Sequence, residues 1–559
     1  MDTTVAEGKR MDRLTSLPEV IILDDILTRL PYKDAARTSV LSKEWRDTWY
    51  SFPILSICSK DFFSMHDVLL KNPLRFSNQD MLIHYVTKRL LKLLDQGLAI
   101  KVFKLNMQCV DHKKMFYHVD LWMKMVSENG VQELELRLPL PTAYVAKGCT
   151  IDQEYDLPLC VIEAKSLTKL VLRGKIRFHQ AFLNHSIKLF SVLFSHEGIV
   201  ENLISHCPLI EHLTINDCYI YNPLSVPCPV RSLFLHGLEK LKEADIRGIQ
   251  GVYIDAPNLE NLCYCPLDVY APFKLNLDSF TNLRCLRLFF LEGSIITDKW
   301  FVELFHKFHF LESLSLLCCS MSEKINILSV QLKHLKLSIH CSNSREVNID
   351  APNLLSCQYY GNFKIAISFL RYSNQLELSF NPTLDYKHNY YSLREFIQNI
   401  KPQMVLASLS LSIQHLPGIE QILSQIQVSS TPPTIKRLGL QCVPKNEALY
   451  FPYVNWLLSS CCPRTIIFIL HSDYDRKPFI LFMYELLMGG KKWKWFHHFS
   501  DTKCWWHELK NVKVTSSFKV HENVDLETML DSFPKSDGEE YISFSLELLV
   551  KIKLCSTIS

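Results

Sequence analysis

His497, His498, Cys504 and His507 are the residues in this chain whose types could hold a metal. Imidazole and thiolate together suit a tetrahedral zinc ion. Their spacing follows no standard ligand pattern, no CxxC pair occurs in the chain, and the adjoining Trp505 and Trp506 point to packing. No metal is therefore expected. Just upstream, Lys491, Lys492 and Lys494 alternate with Trp493 and Trp495. That mixture could neutralise and stack single-stranded nucleic acid. One such loop in a chain of net charge +3 reads instead as a surface loop, so no nucleic-acid partner is expected. No Gly-rich phosphate loop, paired-carboxylate motif or nucleophile elbow is present. The chain reads as a non-enzyme with no cofactor.

What the sequence does carry is repetition. The chain has 559 residues, well beyond one ordinary domain, and leucine makes up roughly 15 % of it. The leucines recur as LxxLxL, for example Val131–Leu136, Leu167–Leu172, Leu283–Leu288, Leu311–Leu316 and Leu332–Leu337. Val230–Leu235, Leu259–Leu262, Leu406–Leu411 and Ile435–Leu440 read the same way, as do Ile100–Leu105 and Ile210–Ile215. The closing LxL is a short strand with both leucines inward and their neighbours outward. One such strand cannot bury its apolar face, but stacked copies can. The expected fold is α/β: a curved leucine-rich-repeat solenoid with a parallel sheet inside and helices or irregular segments outside. Helices fit 120–129, 198–206 and 297–308, the first ending at Gly130.

The register names an outward face. Lys169, Arg173, His212, Asn216, Arg287, Phe289, His334 and Lys336 are expected on it. This mixed surface, leaning basic, suits protein or small-ligand recognition better than catalysis.

The nineteen cysteines read as small buried hydrophobes. The polar N-terminus resembles no signal peptide, and apolar stretches such as 479–488 are too short to span a bilayer. The expectation is a cytoplasmic or nuclear protein with no membrane partner.

Residues 12–52 have a different texture. Pro18 opens a dense apolar helix that Pro31 closes, and 33–41 and 43–49 form two shorter helices, with Ser42 as N-cap of the last. Three helices in some forty residues leave apolar surface for a partner. The run from Leu17-Pro18 through Ile26-Leu27, Leu30-Pro31 and Lys33-Asp34-Ala35 to Arg37–Ser42 and Trp45-Arg46 resembles the plant F-box. The resemblance implies docking on a Skp-type adaptor, and through it on a cullin and a RING subunit, in an SCF ubiquitin ligase. The repeats would select the target. Carried onto this chain, the adaptor contacts are Leu17, Pro18, Ile26, Leu27, Leu30, Pro31, Val40, Leu41 and Trp45, with Ile26 and Leu41 expected to be partly core. One departure stands out: Pro18 to Ile26 holds one residue more than the family's spacing, and one residue turns a helical face by about 100°.

From about 446 the repeat rhythm fades. A strand at 465–470, a helix at 479–488, an alternating stretch around Val512 and Val514, a helix at 525–533 and a last strand at 541–548 make a small α+β region. The Lys503–Leu509 segment resembles the FBD region of plant F-box/leucine-rich-repeat proteins. The expected domains are thus 12–52 F-box, 53–99 helical linker, 100–445 repeats and 446–559 FBD-like. The implied role is target receptor of a ubiquitin ligase. A ligand-dependent co-receptor, with a small hormone-like molecule in the repeats, and a scaffold without ligase function are the alternatives.

Overall fold

The computed structural model describes residues 17–62, 75–107, 112–138, 155–174, 176–178, 186–190, 192–194, 209–221, 227–268, 274–276, 280–289, 296–318, 321–339, 346–361, 365–382, 393–401, 409–413, 432–440, 443–444, 446–470, 476–488, 506, 509–517, 525–531 and 540–548. The chain divides into two compact units. The first comprises residues 1–268 and 273–282, the second 269–272 and 283–559.

The first unit opens with a helical module. A π turn at Ile21–Ile26 runs into a 3-10 turn at Leu27–Arg29. Helix α1 (Tyr32–Arg37) follows, with Pro31 as its N-cap. Helix α2 (Lys43–Ser51) is capped as its sequence asks: the Trp45 backbone N–H donates to Ser42 Oγ at 3.2 Å. Ile22, Leu27, Ala35, Trp45, Trp49 and Phe52 form the module's core.

Helix α3 (Arg75–Asp95) and helix α4 (His112–Glu128) lie among the first repeat strands. Gly130, at φ +73°, takes the left-handed turn that ends α4, and the Val131 N–H reaches back to the Val126 carbonyl. Parallel strands then stack in register, in the order Ile54–Cys58, Val102–Asn106, Glu133–Arg137, Lys169–Arg173, Ser186–Phe190, His212–Asn216, Glu243–Arg247 and Asn261–Cys265. Alternation along each strand makes two inward columns. One is Leu55, Phe103, Leu134, Leu170, Ile187, Leu213, Ala244 and Leu262; the other runs from Ile57 to Tyr264. No member of either is more than 3 % exposed. This burial is what makes a repeat that is unstable alone stable in a stack.

The second unit repeats the device over Cys285–Phe289, Ser313–Leu317, His334–Ile339, Ser356–Gly361, Glu377–Pro382, Leu409–Ile413, Thr434–Leu440 and Cys462–Leu470. There the parallel order stops. Cys462–Leu470 pairs antiparallel with Glu540–Leu548, which pairs antiparallel with Leu509–Ser516. With helices at Tyr450–Ser460, Lys477–Leu487 and Leu526–Asp531, this is the α+β region expected from the sequence.

Two findings add detail to the expected architecture. The segments between the inward-leucine strands hold short strands as well as helices. Further parallel strands run through Tyr155–Asp156, Ile176–Phe178, Leu193–Phe194 and Tyr219–Tyr221, and through Ser232–Leu235, Gly251–Ile254 and Lys274–Asn276. In the second unit Lys324–Leu328, Glu346–Asp350, Ala366–Arg371 and Ile400–Lys401 do the same. Coils of roughly 20 residues have room for two strands and turns but not for a multi-turn helix. Longer steps do hold helices, as with α4 and with α5 (Asp298–Lys307), which matches the helix expected at 297–308. Secondly, the LxxLxL copy at Val230–Leu235 belongs to this outer wall and not to the inward-leucine sheet. The helix expected at 198–206 lies outside the described residues.

Candidate functional site

The N-terminal module divides its apolar residues into two classes. Leu27 and Trp45 are 1 % and 2 % exposed and hold the helices together. Leu17 and Ile26 are half-buried against that core. Pro18, Leu30, Pro31, Val40 and Leu41 are exposed, Val40 to 85 % and Leu41 to 54 %. Of the nine residues named for a partner, then, Leu27 and Trp45 sit inside the module, and Leu41 is more open than a part-core residue. Val20 and Ile21, which the motif did not single out, are exposed as well. Their signal was available: two apolar residues on the outer side of a helix whose inner side is already filled by Ile22.

The extra residue after Pro18 has a structural answer. The Leu27 N–H donates to the Ile22 carbonyl, five residues back. A π turn holds one residue more than an α turn without ending the helix. Ile22 and Leu27, five apart, therefore both face the core. The surplus residue is absorbed in the helix itself, and Leu30 and Pro31 follow from a core-anchored Leu27.

Helix α3 grips this module. Arg89, 3 % exposed, donates from Nη1 to the Tyr50 carbonyl and from Nη2 to the Trp49 carbonyl, each at 3.1 Å. Its guanidinium lies 5.1 Å from the Trp49 ring centroid. Lys92 Nζ sits 3.4 Å from the Tyr50 ring, and the Tyr32 and Tyr85 hydroxyls are 3.4 Å apart. Burial pushes the Tyr32 phenol far above its ordinary value. The module is thus seated on the first repeats through side chains of α3.

The repeat strands present the expected outward residues, four in each unit. In the first unit Lys169 Nζ pairs with Glu133 at 3.1 Å, and His212 Nδ1 lies 3.0 Å from Glu243. Arg247 pairs with Asp245 at 2.7 Å, and Arg137 with Glu135. Arg173 and Asn216 share a register column through Phe190. In the second unit Arg287 is exposed and Phe289 half-buried. His334 Nδ1 lies 2.9 Å from Ser356 Oγ, and Lys336 Nζ lies 4.8 Å from the Tyr360 ring. The register runs Arg287, Ser315, Lys336, Gln358, Ser379, Ser410, Arg437 along one column. Near its end Ser356, Gln358, Ser379 and Arg437 line a cleft of about 130 Å³ with Glu377 and Lys436. Gln358, Ser379 and Arg437 were not named from the sequence, although the LxL register would have supplied Arg437.

His497, His498, Cys504 and His507, like the Lys491–Phe496 loop, lie outside the described residues, and Trp506 is buried. Among the described residues no group of three or more His, Cys, Asp or Glu is placed to hold a metal. The described cysteines are free thiols. Burial pushes the Cys218 and Cys357 thiols up to about 12, as suits core residues.

Comparison with known proteins fits this division. The F-box domain model matches residues 14–60. The At1g61320/AtMIF1 LRR domain model matches residues 94–277. Among Arabidopsis thaliana proteins, F-box/FBD/LRR-repeat protein At1g13570 is 31 % identical over 216 residues, 37 % of this chain and 45 % of its own. FBD-associated F-box protein At3g52670 is 29 % identical over 298 residues, 52 % of this chain and 62 % of its own. F-box/LRR-repeat protein 13 is 26 % identical over 261 residues, 45 % of this chain and 51 % of its own. The chain thus spans about half the length of the curated relatives it matches. It carries an F-box followed by a leucine-rich-repeat domain, and its relatives are Arabidopsis F-box/FBD/LRR-repeat proteins.

Proposed function

We propose that this chain is the target-recognition subunit of an SCF-type cullin–RING ubiquitin ligase. The F-box docks on a Skp-type adaptor, and through it on the cullin and RING subunits, while the outward faces of the repeat sheets bind the protein to be ubiquitinated. The subunit itself is non-catalytic. It raises the effective concentration of target lysines beside a charged ubiquitin-conjugating enzyme. Its proposed compartment is the cytoplasm or nucleus.

The observation that carries this reading is the set of exposed apolar residues on so small a module. Val20, Ile21, Leu30, Pro31, Val40 and Leu41 do no packing work there that would account for them. Exposed apolar residues concentrated on so small a module fit a protein interface. The experiment is co-purification of the full chain with a Skp-type adaptor, cullin and RING subunit. The wild type should assemble all four, and Leu30→Asp should release adaptor, cullin and RING together. A wild-type chain that captures no adaptor overturns the ligase reading. Capture unchanged in Leu30→Asp overturns the placement of the docking surface.

A further inference from the structure

The inward columns of the second unit do not end with the last leucine repeat. In register, Leu411 stands beside Leu438, Leu438 beside Ile466, and Ile466 beside Phe544 on the antiparallel strand Glu540–Leu548. The companion column passes from Leu440 through Phe468 to Ile542. Leu438, Leu440, Ile466, Phe468, Ile542 and Phe544 are all fully buried. The Phe544 ring centroid lies 5.0 Å from that of Phe468, which in turn lies 6.4 Å from Phe479 of the helix Lys477–Leu487. One apolar core therefore runs from the repeats into the region whose sequence breaks the repeat rhythm. A stack of repeats needs such an ending, because its last coil otherwise presents an uncovered apolar end.

The strand at the junction is the one that most needs covering. Residues 465–470 read Thr-Ile-Ile-Phe-Ile-Leu, rich in β-branched and aromatic types, with no charge, proline or glycine. Left at a sheet edge, such a segment is a template for pairing with another chain. Here all six residues pair with 540–545. The strand that ends this sheet among the described residues, Leu509–Ser516, is built differently. It exposes Lys510 and Lys513, shifts register between Leu509 and Asn511, and buries only Val512. Lysines and bulges are the features that blunt a sheet edge. The antiparallel pair thus replaces an adhesive edge with a guarded one.

We propose that the antiparallel strands Glu540–Leu548 and Leu509–Ser516 are the terminal cap of the second repeat stack, and that opening this cap lets a second copy of the chain pair on residues 465–470. The region then serves the repeats by closing their core and keeping the chain from self-association. This inference does not depend on the ligase reading.

The test uses the full chain and reads sedimentation velocity together with hydrogen–deuterium exchange. Phe544→Asp puts a charge into the shared core and should detach Glu540–Leu548 from Cys462–Leu470. Oligomers absent from wild type should then form as concentration rises. Amide exchange in Thr434–Leu440 and Cys462–Leu470 should quicken about tenfold or more, while first-unit strands such as Lys169–Arg173 keep wild-type protection. Adding Ile467→Lys, at a half-exposed position of the uncovered strand, should abolish the oligomers without restoring protection. Unchanged exchange in Thr434–Leu440 of Phe544→Asp overturns the cap, because the region would then be an appendage independent of the repeats. Equal loss of protection in both units overturns it too, since the variant would have unfolded the chain at large. A Phe544→Asp protein that stays monomeric, or oligomers that persist with Ile467→Lys, overturn the pairing on residues 465–470.

Discussion

The F-box and the repeat sheets expose opposite chemistries. The F-box exposes aliphatic side chains and prolines over a core of tryptophan and leucine. The repeat sheets bury their leucines in two columns and expose charges, hydroxyls and amides. Under the proposed function, the contrast follows from what each surface would have to do. A surface that meets one invariant partner can rely on apolar burial, which is non-directional and strong per unit area. A surface that must discriminate among targets needs directional groups, because an unpaired polar group penalises the wrong partner. The two repeat units differ again. In the first, Lys169 meets Glu133 and His212 meets Glu243 in register, and Arg247 pairs with Asp245 on its own strand. In the second, Arg287, Lys336 and Arg437 lie in one register column that contains no acid, with Glu377 in the neighbouring one. A face that satisfies its own charges has less left for a ligand.

The sharpest way to break the F-box half of this comparison is to exchange its two classes of apolar residue. Trp45→Ala should cost about 3–5 kcal/mol of stability, since it hollows the module's core. Denaturant unfolding checks this, and a loss below 1 kcal/mol would mean Trp45 is not core. Next in size is the grip of α3. Arg89→Ala removes two charge-assisted hydrogen bonds to the Trp49 and Tyr50 carbonyls and should cost about 1.5–3 kcal/mol. Limited proteolysis between the F-box and the first repeats should quicken in that variant. Ser42→Ala should cost about 1 kcal/mol through the lost cap on α2, and Ser42→Asp should restore most of it.

The smallest effect belongs to the polar surface of the repeats. Arg371 holds the Asp350 carboxyl below its ordinary value through hydrogen bonds of 2.6 and 2.9 Å. A depressed carboxylate adds stability that is complete above its unfolded value, near pH 3.9, and is lost as pH falls through the lower folded value. Asp350→Asn should therefore lower stability slightly at neutral pH, leave it unchanged below the folded titration, and so flatten the acid limb, as measured by melting against pH. A large loss at neutral pH would show that surface pairs matter here far more than their exposure allows.

Much of this molecule could be read from its residues, and the gaps have physical causes. Leucine registers located Glu133–Arg137, Lys169–Arg173, Cys285–Phe289, Ser313–Leu317 and His334–Ile339, because both inward positions there are leucine. The strands at Ile54–Cys58, Ser186–Phe190 and Glu243–Arg247 escaped that reading. Their inward pairs are Leu55 with Ile57, Ile187 with Leu189 and Ala244 with Ile246, so alternation persists without the full LxxLxL spacing. Val230–Leu235 erred the other way, since an outer strand also needs alternating apolar residues and a local pattern cannot tell the two sheets apart. In the F-box, the motif named the right segment but could not separate Leu27 and Trp45 from Val40 and Leu41. That division depends on which face the three helices turn toward one another. The π turn was equally hidden, because a one-residue surplus can be absorbed at a helix end or inside it. The cleft at Arg437 was out of reach for a different reason: its walls come from strands far apart in sequence, and only the stacking order brings them together.

The central claim is that the exposed aliphatic residues of the F-box are a docking surface. Titration calorimetry of the full chain with a purified Skp-type adaptor, wild type against Val40→Asp combined with Leu41→Asp, tests it most directly. The account predicts saturable one-to-one binding by wild type. It predicts a loss of at least about thirtyfold in the variant, the effect of removing a hot spot worth about 2 kcal/mol, with unchanged melting. No binding by wild type, or undiminished binding by a correctly folded variant, would contradict it.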